Sequence, residues 1–423
     1  MSKINVLIFP AGEINSIELH DALASCVNIN VYGASSIDRH GSYVFENYIS
    51  GLPLITASDF FEKFNAIITE KNIDVIFPTH DTVATFLADN ADKLKAKLIS
   101  ADKLTSAICR DKQKTYEIFA DYDFIPKSYS KIETYPVFIK PKEGQGAVGA
   151  KLINSDKDVP DVDLDEYVIC EYLPGKEYTV DCLSDKDGNL CFVSPRSRKR
   201  IMAGVSVAGE IETLTQEIKN IAEQINKKLS FLGLWWFQIK QDIDGKWKLL
   251  EISTRCAGTM ALTRARGVNL PLLSVYIAMG YNVSVEPNTY HVTMDSSLIR
   301  RYKIDYDYDT VYFDFDDTLT LRGKINLKAI WFLYQCQNFG KKVILLTKHE
   351  KEIYETMRSY HIDSELFHKI IHIKPNEKKS DFISPNKAIF VDNAYQERAE
   401  VSRTHRIPVF DVDGLDVLMD WRY

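Results

Sequence analysis

The chain has 423 residues, 45% hydrophobic and 26% charged. At about 150 residues per domain this length predicts more than one folding unit, and the composition excludes disordered, collagen-like and disulfide-scaffold classes. Fifty-two Lys plus Arg against 59 Asp plus Glu gives a net charge of −7, which argues against a general nucleic-acid binder, so any anion site must be local.

The first residues run straight into a strand-like segment without the basic, apolar and cleavage regions of a secretion signal. Seven cysteines form no CxxC pair and no zinc-ligand spacing, and their odd number suits a reducing cytoplasm better than a closed disulfide framework. No apolar run reaches the roughly 18 residues of a membrane span; the nearest, 229–239, is short and carries Gln238. The expectation is a cytoplasmic protein with neither membrane nor nucleic acid as partner.

Apolar runs at residues 4–9, 29–32 and 73–77 alternate with helical patterns at 14–24 and 81–91, which predicts an open parallel sheet covered by helices over 1–108. From Cys109 the chain turns to Pro-punctuated strands at 136–140, 167–172 and 178–183, with hairpin signals at Asp187-Gly188-Asn189 and Asp244-Gly245. This predicts a mixed α+β region over 109–300. Residues 301–309 read as a polar and aromatic link, and a second βα pattern fills 310–423. The fold class is therefore multidomain, α/β with α+β.

Gly144, Gly146 and Gly149 spell GxGxxG, yet strand-like residues flank the motif on both sides, whereas a dinucleotide fingerprint needs a helix after it. It reads as a hairpin loop whose bare backbone N–H groups can approach phosphate, with Lys140 adding a charge beside it. Glu171 and Glu177 flank a tight turn at a spacing suited to an adenine amino group and ribose hydroxyls. Period-2 alternation then puts Gln238 and Lys240 on one face of a strand, and Glu251, Ser253 and Arg255 on one face of the next. Oxygen ligands on paired strands beside an arginine suit Mg²⁺ bound through nucleotide phosphates.

The ordered parts are Phe77-Pro-Thr-His-Asp81, Arg110-Asp-Lys112, the Lys140-Pro141 strand with its glycine loop, Glu171, Gln238, Glu251-Ile-Ser-Thr-Arg255 and Gly267-Val-Asn-Leu-Pro271. In this order, from about residue 4 to 282, the chain resembles the ATP-grasp superfamily, and within it the carbamoyl-phosphate-synthetase-like carboxylate–amine ligases. The resemblance implies an ATP-grasp fold behind an open-sheet pre-grasp domain, with ATP and Mg²⁺ (Mn²⁺ an acceptable substitute) as cofactors. It implies that Lys112 and Lys140 contact phosphates or adenine and that Gly144, Gly146 and Gly149 cover the triphosphate. Glu171 and Leu173 would read the adenine edge, and Glu177 the ribose. Gln238 and Glu251 would hold magnesium, and Arg255 would steady the transferring phosphoryl group. The stretch Arg196-Ser-Arg-Lys-Arg200 would meet phosphate or the substrate carboxylate, with Arg200 on the nucleotide. Ser253 would be a further, weaker metal ligand and is a departure: the family usually carries Asn there in that role, and a serine hydroxyl is a shorter donor.

Further on, Val311-Tyr-Phe-Asp314-Phe-Asp316-Asp-Thr318 is an apolar strand ending in two carboxylates two residues apart, able to split the tasks of nucleophile and proton donor. A second strand ends in Thr347 and a third in Asp392, with Lys378 and Lys379 between. These residues resemble the haloacid dehalogenase (HAD) phosphatase superfamily over 310–423, a Rossmann-like domain. By that resemblance Asp314 attacks phosphorus, Asp316 is the acid/base and Thr347 binds a phosphoryl oxygen. Lys378, or its neighbour Lys379, offsets charge, and Asp314, Asp316 and Asp392 form the metal site. Asn393 stands where many members have an acid, with Glu397 as the alternative. The short interval from Thr318 to Thr347 leaves no room for a cap domain. His368 and His372 lie in a strand-like stretch, where a four-residue spacing is too wide for shared tetrahedral coordination.

The sequence therefore predicts an ADP-forming ligase that joins a small-molecule or glycan-linked carboxylate to an amine, fused to a Mg²⁺-dependent phosphohydrolase acting on a phosphate ester. Two rivals stay open. Asn393 allows a non-catalytic HAD scaffold, and Ser253 allows a nucleotide-binding regulatory module without ligation. Self-association is left open too.

Overall fold

The computed structural model describes residues 3–422 apart from 145, 203, 298, 300, 303 and 421. The expected link at 301–309 thus lies partly outside the described residues. The chain forms two compact units that join in sequence near residue 298. Among the described residues no helix is long and apolar enough to cross a membrane.

The first unit opens with a five-stranded parallel sheet of β1 (Ile4–Phe9), β2 (Ile29–Ala34), β3 (Asn47–Ile49), β4 (Val75–Pro78) and β5 (Lys97–Leu98), in the order β3-β2-β1-β4-β5. A parallel sheet must be covered on both faces, and alternation along β1 does this. Val6 and Ile8 pack with Leu19 and Leu23 of α1 (Ile14–Leu23), while Leu7 and Phe9 pack with Phe60 and Phe64 of α2 (Phe60–Glu70). The order reverses between β1 and β4, so the turn after β1 and the turn leading into α3 (Asp81–Asp89) flank the crevice where such sheets bind ligands.

Helix α4 (Lys103–Arg110) crosses the expected 108/109 join and leads into α5 (Lys112–Ile118). Next comes an antiparallel sheet of β6 (Ser128–Tyr129), β7 (Val137–Pro141), β8 (Lys151–Ile153) and β9 (Tyr167–Glu171), ordered β6-β9-β7-β8. The glycine segment joins β7 to β8 as a hairpin, as its strand-like flanks predict.

A second antiparallel sheet is ordered β11-β10-β14-β15, from β10 (Glu177–Ser184), β11 (Leu190–Ser197), β14 (Gly233–Gln241) and β15 (Trp247–Ser253). Between them lie β12 (Arg200–Met202), β13 (Val205–Glu210) and α6 (Gln216–Lys228). The helix buries Ile218, Ile221, Ala222 and Ile225, a 3-4 spacing that forms one stripe, against Val180, Cys182, Trp235 and Phe237. Helices α7 (Ala261–Ala265) and α8 (Leu270–Ala278) follow, and β16 (Thr293–Asp295) pairs with β13. On the opposite sheet face Leu183, Leu234 and Trp236 share a core with Val6, Ile8, Leu270 and Val275. That shared core brings the ends of the first sheet against β15.

The second unit is a five-stranded parallel sheet ordered β21-β20-β17-β22-β23, from β17 (Thr310–Phe313), β20 (Lys342–Thr347), β21 (Lys369–His372), β22 (Ala388–Val391) and β23 (Val409–Phe410). A small hairpin, β18 (Thr320–Leu321) with β19 (Lys324–Ile325), follows β17, and the helices are α9 (Leu327–Asn338), α10 (Ile353–Ser359), α11 (Tyr395–His405) and the short α12 (Leu415–Leu418). The order reverses at β17 beside β22, where Asp314 and Asp392 leave their strands.

Candidate active sites

Two adjoining cavities open in the first unit. The larger, about 360 Å³, lies between Glu13, Thr79, His80 and Asp81 at the crevice of the parallel sheet and Glu251, Ser253 and Arg255 of β15 and its extension. The smaller, about 220 Å³, has apolar walls of Phe138, Leu173, Ile201 and Leu250, with Lys140 and Glu177. Lys112, Arg198, Gln238 and Glu251 line both.

Asp111 caps α5 through the amides of Gln113 and Lys114, which sets Lys112 at the helix start with its ammonium 3.8 Å from Glu251. Lys140, near the end of β7, is buried with no carboxylate bonded to it among the described residues. Its ammonium donates to the Tyr116 hydroxyl at 2.6 Å and the Leu250 carbonyl at 2.9 Å and lies 5.1 Å from the Tyr116 ring centre. Burial pulls its pKa below the usual lysine range. A buried cation held only by neutral groups is an unmet demand for an anion. Gln238 and Glu251 are cross-strand partners, and Arg198 donates to Gln238 at 3.0 Å and pairs with Glu177.

Three buried nitrogens on residues that line the larger cavity, Nε of Arg198, Nε of Arg255 and Nε1 of Trp236, have no hydrogen-bond acceptor among the described residues. All three are donors. The donor set and the two lysines therefore fit a polyanion. The cavity rim pairs two glycine turns: a Cβ on Gly204, at φ +77°, would lie 1.8 Å from the Gly146 carbonyl oxygen. Arg110 donates to the Gly144 carbonyl at 3.1 Å from below.

Residues 163–298 match a family model described as ATP-grasp in the biosynthetic pathway with Ter operon. The chain is 27% identical over 151 residues to 3-methyl-D-ornithine–L-lysine ligase of Methanosarcina mazei, covering 35% of this chain and 39% of that protein. It is 26% identical over 205 residues to D-alanine–D-alanine ligase A of Clostridium perfringens, covering 43% of this chain and 66% of that one. The chain thus spans less than two thirds of the length of either curated relative. In three dimensions it is similar to the biotin carboxylase of Campylobacter jejuni, with a TM-score of 0.55 at 15% identity, covering 66% of this chain and 72% of that one. The first unit has the ATP-grasp fold.

Within the ATP-grasp unit most residues expected at the site line one of the two cavities. Lys112, Lys140, Gly144, Gly146, Glu171, Leu173, Glu177, Gln238, Glu251, Ser253 and Arg255 all do. Gly149, at φ +78°, packs where a Cβ would sit 2.9 Å from Pro141 and shapes the loop. The Glu171 carboxylate accepts from the Lys127 amide at 2.8 Å, so its side chain fastens β9 to the preceding segment.

Arg200 is a correction. It points to the exterior, paired with Asp295 and donating to the Ser296 carbonyl at 3.0 Å, and the arginines of the run that line the larger cavity are Arg196 and Arg198. The chain leaves β11 at Ser197 and re-enters a strand at Arg200, so the turn between them breaks the alternation and separates the arginines. Arg196 is internal, held by Asp181 and Thr259.

Ser253 lines the larger cavity and is tied there to a carboxylate at the crevice of the first sheet. Its hydroxyl is bonded at 3.0 Å to Asp81, whose other oxygen takes Arg255 at 2.8 Å, and Arg255 also lies 5.5 Å from the Trp236 ring centre. Asp81 has no role in the sequence reading; its partners lie more than 170 positions away. Burial pushes the Asp81 carboxyl up, but the charge and hydrogen bond of Arg255 and the Ser253 hydroxyl together hold it below the usual range. A depressed carboxyl contributes stability above its unfolded pKa of about 4 and loses it as pH falls through the folded value. Asp81→Asn should therefore lower stability at pH 7 by on the order of 2 kcal/mol, with the gap to wild type shrinking at pH 3. Denaturant melts at the two pH values check this, and a gap that stays constant contradicts it.

In the second unit, the described residues hold no group of three His, Cys, Asp or Glu side chains arranged to bind a metal. The cluster is instead two carboxylates around an ammonium: Lys379 lies 2.6 Å from Asp314 and 2.6 Å from Asp392. Burial, ahead of the neighbouring Asp392 charge, pushes the Asp314 carboxyl up to about 6 against the pull of Lys379, and burial raises Asp392 as well. Two carboxylates and one ammonium leave an excess negative charge, which suits a further cation. Thr347 at the end of β20 is fully buried, and its hydroxyl has no partner among the described residues.

Three further expectations need correction here. Lys379, not Lys378, is the cluster's cation: Lys378 is exposed at the start of the short turn that buries Lys379. The Asp316 side chain stands outside the Asp314–Lys379–Asp392 cluster; its carboxylate contacts His349 at 2.9 Å. Glu397 is taken by Lys348 at 2.6 Å, while the Asn393 amide accepts from Thr318 at 3.3 Å and its backbone N–H donates to the same hydroxyl at 3.0 Å. His372 ends β21 and is bonded to the His349 carbonyl, while His368 immediately precedes the strand.

Proposed function

We propose that the first unit is an ATP-dependent, ADP-forming ligase that activates a carboxylate as an acyl phosphate and joins it to an amine. The observation that carries this reading is the set of donors without acceptors among the described residues, Arg198 Nε, Arg255 Nε and Trp236 Nε1, on residues lining the cavity of Lys112 and Glu251, with Lys140 in the adjoining one. The ligase names of the two curated relatives support it. In the reaction a carboxylate oxygen bonds to the γ-phosphorus and the bond to ADP breaks. The amine nitrogen then bonds to the acyl carbon, phosphate leaves, and the nitrogen loses its proton to solvent or a nearby base.

The protein's part is positioning and charge neutralisation. The apolar cavity of Phe138, Leu173, Ile201 and Leu250 holds the adenine with Glu171 and Leu173 at its edge, and Glu177 faces the ribose. Lys112 and Lys140 neutralise phosphates under the Gly144–Gly149 hairpin. Gln238 and Glu251 would hold Mg²⁺, which supplies charge neutralisation at the phosphates. Arg255 and Arg198 face the group being transferred, and the crevice at Glu13, Thr79 and His80 takes the organic substrates. A screen of full-length chain with MgATP and pooled small carboxylates and amines tests the reading by ADP release. Turnover must need an acid and an amine together; ADP release indifferent to both rejects ligation.

For the second unit we propose a HAD-type phosphohydrolase without a cap domain. Asp314 is the nucleophile, Lys379 offsets charge, the orphaned Thr347 hydroxyl donates to a phosphoryl oxygen, and Asp314 and Asp392 would hold Mg²⁺, which neutralises the bound phosphoryl group. Asp316, more than half exposed, is the acid toward the leaving group.

A further inference from the structure

We propose that His349 is a positioning residue for Asp316, aiming its carboxyl group at the leaving oxygen of a phosphate ester. The proposal rests on the phosphohydrolase reading of the second unit. His349 lies two residues beyond Thr347, so the end of one strand carries both the phosphoryl-binding hydroxyl and the group that grips the acid. Its Nδ1 is 2.9 and 3.0 Å from the two oxygens of Asp316, a symmetric contact that fixes the carboxylate plane.

The ring is itself held on several sides. Its Nε2 is 2.9 Å from the Thr356 hydroxyl, its edge meets the Phe315 ring at 5.3 Å between centres, and its backbone carbonyl takes His372 at 2.6 Å. The His349 side chain is 11% exposed where that of Asp316 is 54% exposed. An exposed acid on its own samples several rotamers, and a buried ring bonded at both nitrogens restricts it to one.

Hydrogen-bond bookkeeping makes the grip specific. The single Thr356 hydroxyl proton goes to the Glu352 carbonyl, an acceptor only, at 3.0 Å. Thr356 therefore accepts at His349, Nε2 carries a hydrogen, and Nδ1 is left as the atom that holds the Asp316 carboxyl group in place for transfer of a proton to the leaving group. As Asp314 bonds to phosphorus and the ester P–O bond breaks, the departing oxygen takes the proton from Asp316. Water then attacks the phosphoryl group on Asp314, returns a proton to Asp316 and releases phosphate. The net reaction is ester plus water to alcohol plus phosphate.

A grip on the acid matters in proportion to how badly the leaving oxygen needs a proton. An alkoxide is a strong base and leaves poorly without one, whereas p-nitrophenolate leaves as the anion. The readout is therefore kcat/KM of the full-length chain with Mg²⁺ on glycerol 2-phosphate and on p-nitrophenyl phosphate. His349→Ala should lose at least about tenfold more on the alkyl ester than on the aryl ester. His349→Asn, whose amide nitrogen can stand near the Nδ1 position, should recover most of the alkyl activity. Equal loss on both esters, with no recovery in His349→Asn, overturns the proposal and leaves the phosphohydrolase reading standing. If wild type releases no more phosphate from either ester than Asp314→Asn does, both the reading and the proposal fall.

Discussion

Alanine at Glu251 or at Lys140 should cut ADP formation by at least about 100-fold, because each removes a charge that the transfer of a phosphoryl group requires. The two losses differ in kind. Glu251 faces Gln238 across the β14–β15 pair and is the carboxylate that lines both cavities among the described residues, so Glu251→Ala removes the acidic ligand proposed for a nucleotide-bound cation there. Among the described residues Lys140 is bonded to a hydroxyl and a carbonyl and to no carboxylate, so its charge is not spent on an ion pair. Lys140→Ala should weaken MgADP binding as well as turnover, and Glu251→Ala should mainly affect turnover. Calorimetry with MgADP alongside ADP release checks both, with thermal melts to show that the chain still folds. Wild-type turnover in both variants removes the ligase assignment.

Asp314→Asn should abolish phosphate release from simple esters, by on the order of 10³-fold or more, and leave ADP formation by the first unit within about twofold. The carboxamide keeps the shape of the nucleophile and removes its reactivity. The variant should also fold, since Lys379 keeps its contact to Asp392 and the lost carboxylate is one that burial already disfavours in its charged form. Measuring both activities on one preparation separates the outcomes. Loss of ADP formation in Asp314→Asn means that the two units act as one composite enzyme, which contradicts their proposed independence.

Much of this was legible in the sequence because it depends on local pattern. The period-2 runs of β1, β14 and β15, the strand-like flanks of the glycine loop and the Asp-x-Asp-x-Thr segment each state their element and their exposed face within a few residues, since strand geometry repeats every two positions. The order of these parts along the chain carried the ATP-grasp resemblance, and the fold of the first unit agrees with it.

What only the tertiary structure decided was partnership between distant residues. Which arginines of the 196–200 run line the cleft depended on where a turn interrupts the strand, and Lys379 rather than Lys378 was selected by a short helical turn that buries one neighbour and exposes the other. Asp81 met Ser253 and Arg255 because a shared core of α1, β1, β14 and α8 packs the crevice of one sheet against an edge strand of another. His349 found Asp316 in the same way, across adjacent parallel strands. A sequence states what each side chain can donate, accept or bury, but the distances at which charges and hydrogen bonds act are set by packing, and packing is decided by the whole core at once.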